Sequence, residues 1–362
     1  MKLIIAGGGT GGHLFPGIAI AEEWLKRDSK NAVLFVGTER GIEKRVLPDL
    51  GFALATIDVG GIKGKTMVNR IGAVAKLPRS FLQSLKIIRS FQPHMVLGVG
   101  GYASGPAVLM ARLCGLKTAV AEQNAFPGMT NRILGRVVHR IFVTFADDFT
   151  RYFPEKKVCF TGNPVRAAFL SSMDDTAEKK DKFTLLIFGG SQGAMAINRA
   201  VLASLGRLAK IKEHLHIIHQ TGHQAEEEIR MAYGEKQFAA EVHPFIMDMP
   251  GFYKKADLLI CRAGATSIAE ITASGRASIL IPYPHAADDH QTSNGEVLAR
   301  AGAAIMIPEA KLTEESLAEV ILDLYKNREK IRNMEENSRR LARVDAAARI
   351  VDECIALIGK AH

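Results

Sequence analysis

Residues 2–13 read KLIIAGGGTGGH, an aliphatic run followed by three consecutive glycines, a threonine, two more glycines and a histidine. A short apolar run closed by glycine predicts a buried strand. Gly7, Gly9 and Gly12 then satisfy G-x-G-x-x-G, and the residues after His13 take up helical spacing. Glycine permits the tight turn and lets backbone amides approach an anion, which the following helix N-terminus also attracts. The stretch therefore opens a βαβ unit with a ligand-facing loop. A purely structural tight turn reads the same way, and a dinucleotide fold would add an acid at the end of the second strand. That strand ends Val36-Gly37-Thr38-Glu39, so only Glu39 could serve, slightly late.

Outward from this unit, aliphatic runs at 32–36, 95–99, 118–121 and 141–143 alternate with longer helical patterns. Such alternation predicts a parallel sheet with helices on both faces. A second series, at 184–188, 216–220, 258–261 and 278–281, begins after the polar stretch SSMDDTAEKKDK at 171–182. Two α/β, Rossmann-like domains are expected, 1–164 and 165–342, joined near 163–182, with an apolar-faced last helix over 345–358. The halves echo one another: GGTGG at 8–12 is matched by GGSQG at 189–193, and GVGGYASGP at 98–106 by CRAGATSIAE at 261–270. Ligands of open α/β sheets bind at the carboxyl ends of strands, so the active site is expected in a cleft between two facing domains.

A length of 362 residues suits two domains, and 47% hydrophobic with 23% charged residues excludes a disordered or fibrous chain. The short apolar start and the lack of any run of about 18 apolar residues predict an intracellular protein that does not span a membrane. Cys114, Cys159, Cys261 and Cys354 show no CxxC or Cys/His ligand spacing, so neither a disulfide framework nor a zinc site is predicted. The net charge of +9 is uneven: residues 1–164 hold 22 Lys/Arg against 11 Asp/Glu, and no acid falls between Asp58 and Glu122. That half should face an anion. Few aromatics and no nucleic-acid motif accompany the cations, which favours lipid or phosphate over nucleic acid. Between Lys63 and Arg89, Met67, Ile71, Val74, Phe81, Leu82, Leu85 and Ile88 recur at near-helical spacing among Lys and Arg, with Pro78 breaking or kinking the run. Residues 67–81 are expected to form part of a membrane face, the other reading being a helix packed on its own sheet.

Several residues have side chains suited to chemistry. His13 should stand at a helix start, where it either bonds the backbone or takes a proton from a substrate hydroxyl at neutral pH. Glu122-Gln123-Asn124 places three polar side chains at a strand's carboxyl end, as ligand contacts or as turn formers. Arg166, after Gly162-Asn163-Pro164-Val165, suits a diphosphate or a surface ion pair. Glu270 follows a Thr/Ser helix start and could accept from two ribose hydroxyls or merely complement the helix dipole. HAADDHQTSN at 285–294 suits sugar hydroxyls better than a metal, since no ligand spacing stands out.

Together GGTGGHLFP, GVGGYASGP, EQNAFPGMTNR, GNPVR, GGSQGA, AGATSIAE and HQTSN resemble the MurG family, the peripheral membrane N-acetylglucosaminyltransferases of peptidoglycan synthesis. The resemblance spans essentially the whole chain. It implies a GT-B fold with residues 343–362 returning to the first domain, and inverting transfer of GlcNAc from UDP-GlcNAc to the C4 hydroxyl of undecaprenyl-diphospho-MurNAc-pentapeptide. By resemblance, Thr10, Gly11, Gly12, Asn124, Arg166, Ser191, Ile246, Ala265, Thr266, Ser267, Glu270 and Gln291 match donor contacts, with Ile246 offering backbone groups to uracil and Glu270 taking the ribose. Gly9, Gly100, Gly101, Tyr102 and Ser104 are expected at the acceptor diphosphate. No metal or cofactor is implied. The partners implied are the two substrates, the anionic cytoplasmic face of the membrane and other wall-synthesis proteins. Many relatives read His-Glu-Gln-Asn at the fourth strand's end, but here Ala121 replaces the histidine, which shifts the role of base to His13 with Glu122 as rival. A nucleotide-sugar epimerase, a nicotinamide-dependent oxidoreductase and a non-catalytic nucleotide-binding module are the alternatives; the epimerase leaves the acid-free basic stretch unexplained.

Overall fold

A computed structural model describes residues 1–39, 41–60, 77–145, 149–170, 181–190, 192–286 and 289–359. By its contacts the chain forms two units, Met1–Arg166 with Arg343–His362, and Ala167–Ala342.

In the first unit, β1 (Lys2–Gly7), β2 (Ala32–Gly37), β3 (Leu54–Thr56), β4 (Met95–Gly100), β5 (Lys117–Glu122), β6 (Arg140–Val143) and β7 (Val158–Phe160) form a parallel sheet. Its order is β3-β2-β1-β4-β5-β6-β7. Leu3 and Ile5 face one side of β1, packed with Trp24 and with Ile350, Val351 and Cys354 of the last helix, Ala346–Gly359. Ile4 and Ala6 face the other, packed with Ala107, Val108 and Ala111 of the helix Ser104–Leu113. Burial on both faces is why these strands read as unbroken aliphatic runs. Ion pairs from Arg27 to Asp352 (3.0 Å) and from Arg140 to Glu353 (3.1 Å) also hold the last helix. Such partly exposed pairs contribute at most about 1 kcal/mol each. Buried Ile350 and Val351, at about 1.5–3 kcal/mol each, are the stronger anchors.

In the second unit, β8 (Phe183–Phe188), β9 (Leu215–Gln220), β10 (Ala240–His243), β11 (Leu258–Cys261), β12 (Ser278–Leu280) and β13 (Ala304–Met306) are likewise parallel, in the order β10-β9-β8-β11-β12-β13. Strand order reverses between β1 and β4 in one unit and between β8 and β11 in the other. The glycine-rich loops that echo each other in sequence follow just these strands. Each unit therefore places a pair of them at its topological switch point, where α/β sheets bind ligands.

Two expectations need correction. The strands not anticipated, β3, β7, β10 and β13, are the edges of the two sheets. Because of β3, the AEQN segment stands at the end of the fifth strand and not the fourth. Pro78 lies in the first turn of the helix Leu77–Phe91, where a missing N–H breaks no helical bond; the run before it, 63–76, lies outside the described residues. Most of the expected membrane segment (67–76 of 67–81) and most of the polar stretch (171–180 of 171–182) lie outside the described residues.

Candidate active site

At the first switch point the loops after β1 and β4 meet backbone to backbone. A β-carbon on Gly101 (φ +79°) would stand 2.4 Å from Gly8 O. Only glycine allows that approach. Thr10 ends the loop, and its carbonyl accepts from His13 N (3.3 Å) and Leu14 N (3.1 Å) to start the helix Gly11–Arg27. Gly12 is exposed and Gly11 half-buried. The half-buried His13 imidazole sits between Thr10 and Gly100: its Nδ1 is 3.5 Å from Thr10 Oγ1, and a β-carbon on Gly100 would stand 2.6 Å from its Cδ2.

Among the residues expected at a diphosphate, Tyr102 is exposed, but the donors of two others point inward. Ser104 is fully buried with its hydroxyl packed toward Gly98, so that side chain cannot reach a ligand at the loop surface. Gly9 donates its N–H to the buried Glu43 carboxylate at 2.7 Å. Glu39, the candidate ribose acid, is exposed and bonded to Lys44 and Thr56; hydrogen bonds from those two lower its pKa.

At the end of β5, Glu122 is buried and its carboxylate accepts four bonds, from Asn124 N (3.1 Å), Asn124 Nδ2 (3.2 Å), Gly128 N (2.9 Å) and Asn131 Nδ2 (2.9 Å). A carboxylate so engaged organises its own loop. Gln123 is buried and donates to Val99 O at 3.2 Å, linking this loop to β4. Further on, the Arg166 guanidinium stacks on Phe15 at 4.4 Å, so a cation–π contact joins it to the helix that carries His13. Asn163 is buried with neither side-chain amide atom bonded.

At the second switch point, Gly193 (φ +76°) packs on the loop after β9, a β-carbon there standing 2.0 Å from Thr221 O. Ser191 lies outside the described residues. Gln220 is buried and bridges two loops, donating to Gly190 O (2.8 Å) and accepting from Ile246 N (2.9 Å). Ile246 thus has its N–H engaged by protein. After β11, Gly264 caps the helix Ala265–Ala273, on which Ala265, Thr266 and Glu270 are buried and Ser267 is half-buried. Burial first, and the Glu270 charge second, push the Cys261 thiol up. Gln291 accepts from Tyr283 N at 3.0 Å and so shapes the segment after β12. Arg262 shapes it as well, donating to Ile281 O and Pro282 O (each 3.2 Å) and pairing with Glu309 at 2.6 Å.

Sequence reasoning missed Glu43, Gln220 and Arg262. Glu43 left one signal, an acid two residues after Gly41 at a helix start; Gln220 and Arg262 left only their places at strand ends.

Comparison with known proteins fits this arrangement. The glycosyltransferase family 28 N-terminal domain matches residues 3–143, and the family 28 C-terminal domain matches residues 184–350. The chain is 56% identical over 358 residues, 99% of each chain, to the UDP-N-acetylglucosamine--N-acetylmuramyl-(pentapeptide) pyrophosphoryl-undecaprenol N-acetylglucosamine transferase of Syntrophus aciditrophicus. It is 32% identical to Acinetobacter baumannii MurG in its crystal structure, at a TM-score of 0.74 over 97% of this chain and 98% of that one. A UDP-GlcNAc 2-epimerase from Neisseria meningitidis bound to UDP-GlcNAc reaches a TM-score of 0.70 over 98% of this chain and 100% of that one, but at 13% identity that likeness is of fold alone. Two Rossmann-like units in the GT-B manner, the paired switch-point loops and the full-length identity lead to one assignment: the chain belongs to glycosyltransferase family 28 and, within it, to the MurG family.

Proposed function

We propose that the protein transfers GlcNAc from UDP-GlcNAc to the C4 hydroxyl of undecaprenyl-diphospho-MurNAc-pentapeptide, with inversion to a β-1,4 linkage. The observation that carries this reading is the full-length identity to a transferase of that name, which takes in the loops of both switch points. His13 acts as base. It takes the C4 hydroxyl proton as the oxygen bonds to the anomeric carbon and the bond to UDP breaks. The saturated carboxylate of Glu122 argues against it as the rival base. Charge on the departing UDP is met by the amide end of the helix Ala265–Ala273 and by Arg166. Glu270 takes the ribose hydroxyls, and Thr10, Gly11, Gly12, Asn124, Ser191, Ile246 and Gln291 complete the donor contacts. With the Ile246 N–H engaged by Gln220, uracil is left the Ile246 carbonyl as its acceptor. The acceptor diphosphate lies against Gly100, Gly101 and Tyr102, without the Ser104 hydroxyl or the Gly9 amide.

No helix among the described residues is long and apolar enough to cross a membrane. We place the enzyme peripherally on the cytoplasmic face, held by the basic first unit and its exposed apolar side chains. The decisive experiment is transfer of labelled GlcNAc from UDP-GlcNAc to a lipid-diphosphate MurNAc-pentapeptide. A β-linked disaccharide product is expected, and UDP-GlcNAc consumption with no labelled lipid would refute the reading.

A further inference from the structure

Glu43 opens the short helix Glu43–Asp49 and is fully buried. Its Oε2 accepts the Gly9 N–H at 2.7 Å, and its Oε1 accepts the Thr38 N–H at 2.8 Å and the Thr38 hydroxyl at 3.1 Å. Glycines enclose it. β-Carbons at Gly8, Gly37 and Gly41 would stand 2.6, 2.6 and 2.0 Å from its side-chain atoms, so the space at three separate positions is kept empty for one carboxylate. Burying a charge is costly unless it is well bonded, and donors to a carboxylate are the strong kind. An apolar side chain of similar volume would fill the same space without desolvating a charge. What it could not do is direct the Gly9 amide. Gly9 leads straight into Thr10, Gly11, Gly12 and His13, and its outer side is open, with nothing within 4 Å of a β-carbon placed there.

We infer that Glu43 is a positioning residue of the transfer site: its carboxylate holds the Gly9 amide inward and so sets the path of residues 9–13, which carry Thr10 and His13. The same charge bars an anion from that amide and keeps the acceptor diphosphate away from it. This rests on the reading of His13 as base.

The test is Glu43→Gln, which keeps size and shape but sets an NH2 group against either the Gly9 N–H or the Thr38 donors. Turnover should fall about 10-fold or more, with UDP affinity held within about 2-fold. In a His13→Ala background the same change should cost less than about 2-fold, because coupled residues are non-additive. Unchanged turnover in Glu43→Gln or, where His13→Ala is itself impaired, an equal loss in both backgrounds overturns the inference. Near-normal turnover of His13→Ala alone would instead overturn the base assignment, and a Glu43→Gln loss at unchanged UDP affinity would still support control of the loop. Should the variant fail to fold, hydrogen exchange on the unaltered protein decides: the Gly9 amide should be protected by roughly 100-fold or more, and free exchange would refute the bond to Glu43.

Discussion

His13 and Gly100 meet edge to backbone across the first switch point: a β-carbon at residue 100 would stand 2.6 Å from His13 Cδ2 and 2.8 Å from its Nε2. The seat of the imidazole is thus made by the end of β4, the strand beside β1, at a residue whose φ of +96° glycine adopts without strain. Gly100→Ala should therefore act on chemistry through His13. We expect turnover to drop about 10-fold or more with UDP affinity unchanged, and stability to fall by about 1–2 kcal/mol from the left-handed backbone. Steady-state kinetics with a denaturant titration checks both, and normal turnover would show that the imidazole needs no such seat.

The roles given to His13 and Glu122 separate by pH profile. A histidine base must be neutral, so the rate should rise with pH through its titration to a plateau. His13→Ala should lower turnover about 100-fold or more and flatten that limb. Glu122→Gln should slow the enzyme by disordering a loop tied by four hydrogen bonds, while leaving the limb in place. If Glu122→Gln removed the limb and His13→Ala kept it, the assignments would be exchanged.

Glu270, proposed to take the ribose hydroxyls, is buried on the helix after β11. Its removal should leave the ribose hydroxyls poorly paired, at about 1–3 kcal/mol. Donor KM in Glu270→Ala should rise by about 5-fold to 150-fold, with NAD and NADP failing to compete in either protein. An unaltered donor KM would take Glu270 out of the site.

The legibility of the chain follows burial. β1, β4 and β8 are buried almost throughout, so their sequences had to be aliphatic and read as strands at once. β3 and β7 are three residues each, half-exposed sheet edges whose Leu-Ala-Thr and Val-Cys-Phe carry no usable period. The glycine loops were legible because turn geometry is local. Glu43 was not, because its meaning depends on Gly9, 34 residues away, and Gln220 was not, because Ile246 is 26 residues away. Glu122 was half legible: its place at a strand end was evident, but not that residues 124, 128 and 131 would fold back on it.

Acid should unfold the second unit through His219. That ring is buried between Tyr233 OH (2.9 Å) and Asn198 Oδ1 (3.1 Å), and burial pushes its pKa down to about 3. The unfolded chain takes up a proton near pH 6.5 while the folded one does not, so the stability present above pH 6.5 is lost as pH falls toward 3. The loss should reach about 2 kcal/mol by pH 5. His219→Gln, which has a donor and an acceptor but no charge to gain, should show a shallower decline in urea titrations at pH 7 and pH 5. An identical decline would mean that His219 does not govern acid stability.

Membrane attachment is testable on described residues. Leu82 (67% exposed), Leu113 (73%), Met129 (59%) and Ile133 (61%) lie on the helices Leu77–Phe91, Ser104–Leu113 and Met129–Gly135, the middle one packing on both others. Arg112 ties the middle helix to residue 137 by donating to Val137 O at 3.0 Å. Lys86, Arg89, Arg112 and Arg136 are exposed on these segments, and the field there is felt by His139, whose pKa is lowered by burial first and then by Arg112, Lys117 and Lys157. Cations beside an anionic bilayer contribute about 1 kcal/mol each, and apolar side chains add their own burial. Replacing Leu82, Leu113 and Ile133 with serine removes exposed apolar area without opening the core. The triple variant should lose about 10-fold or more in binding to phosphatidylglycerol vesicles, while a short-chain soluble acceptor is turned over normally. Binding that survived these changes, and still weakened with salt, would assign attachment to the cations alone.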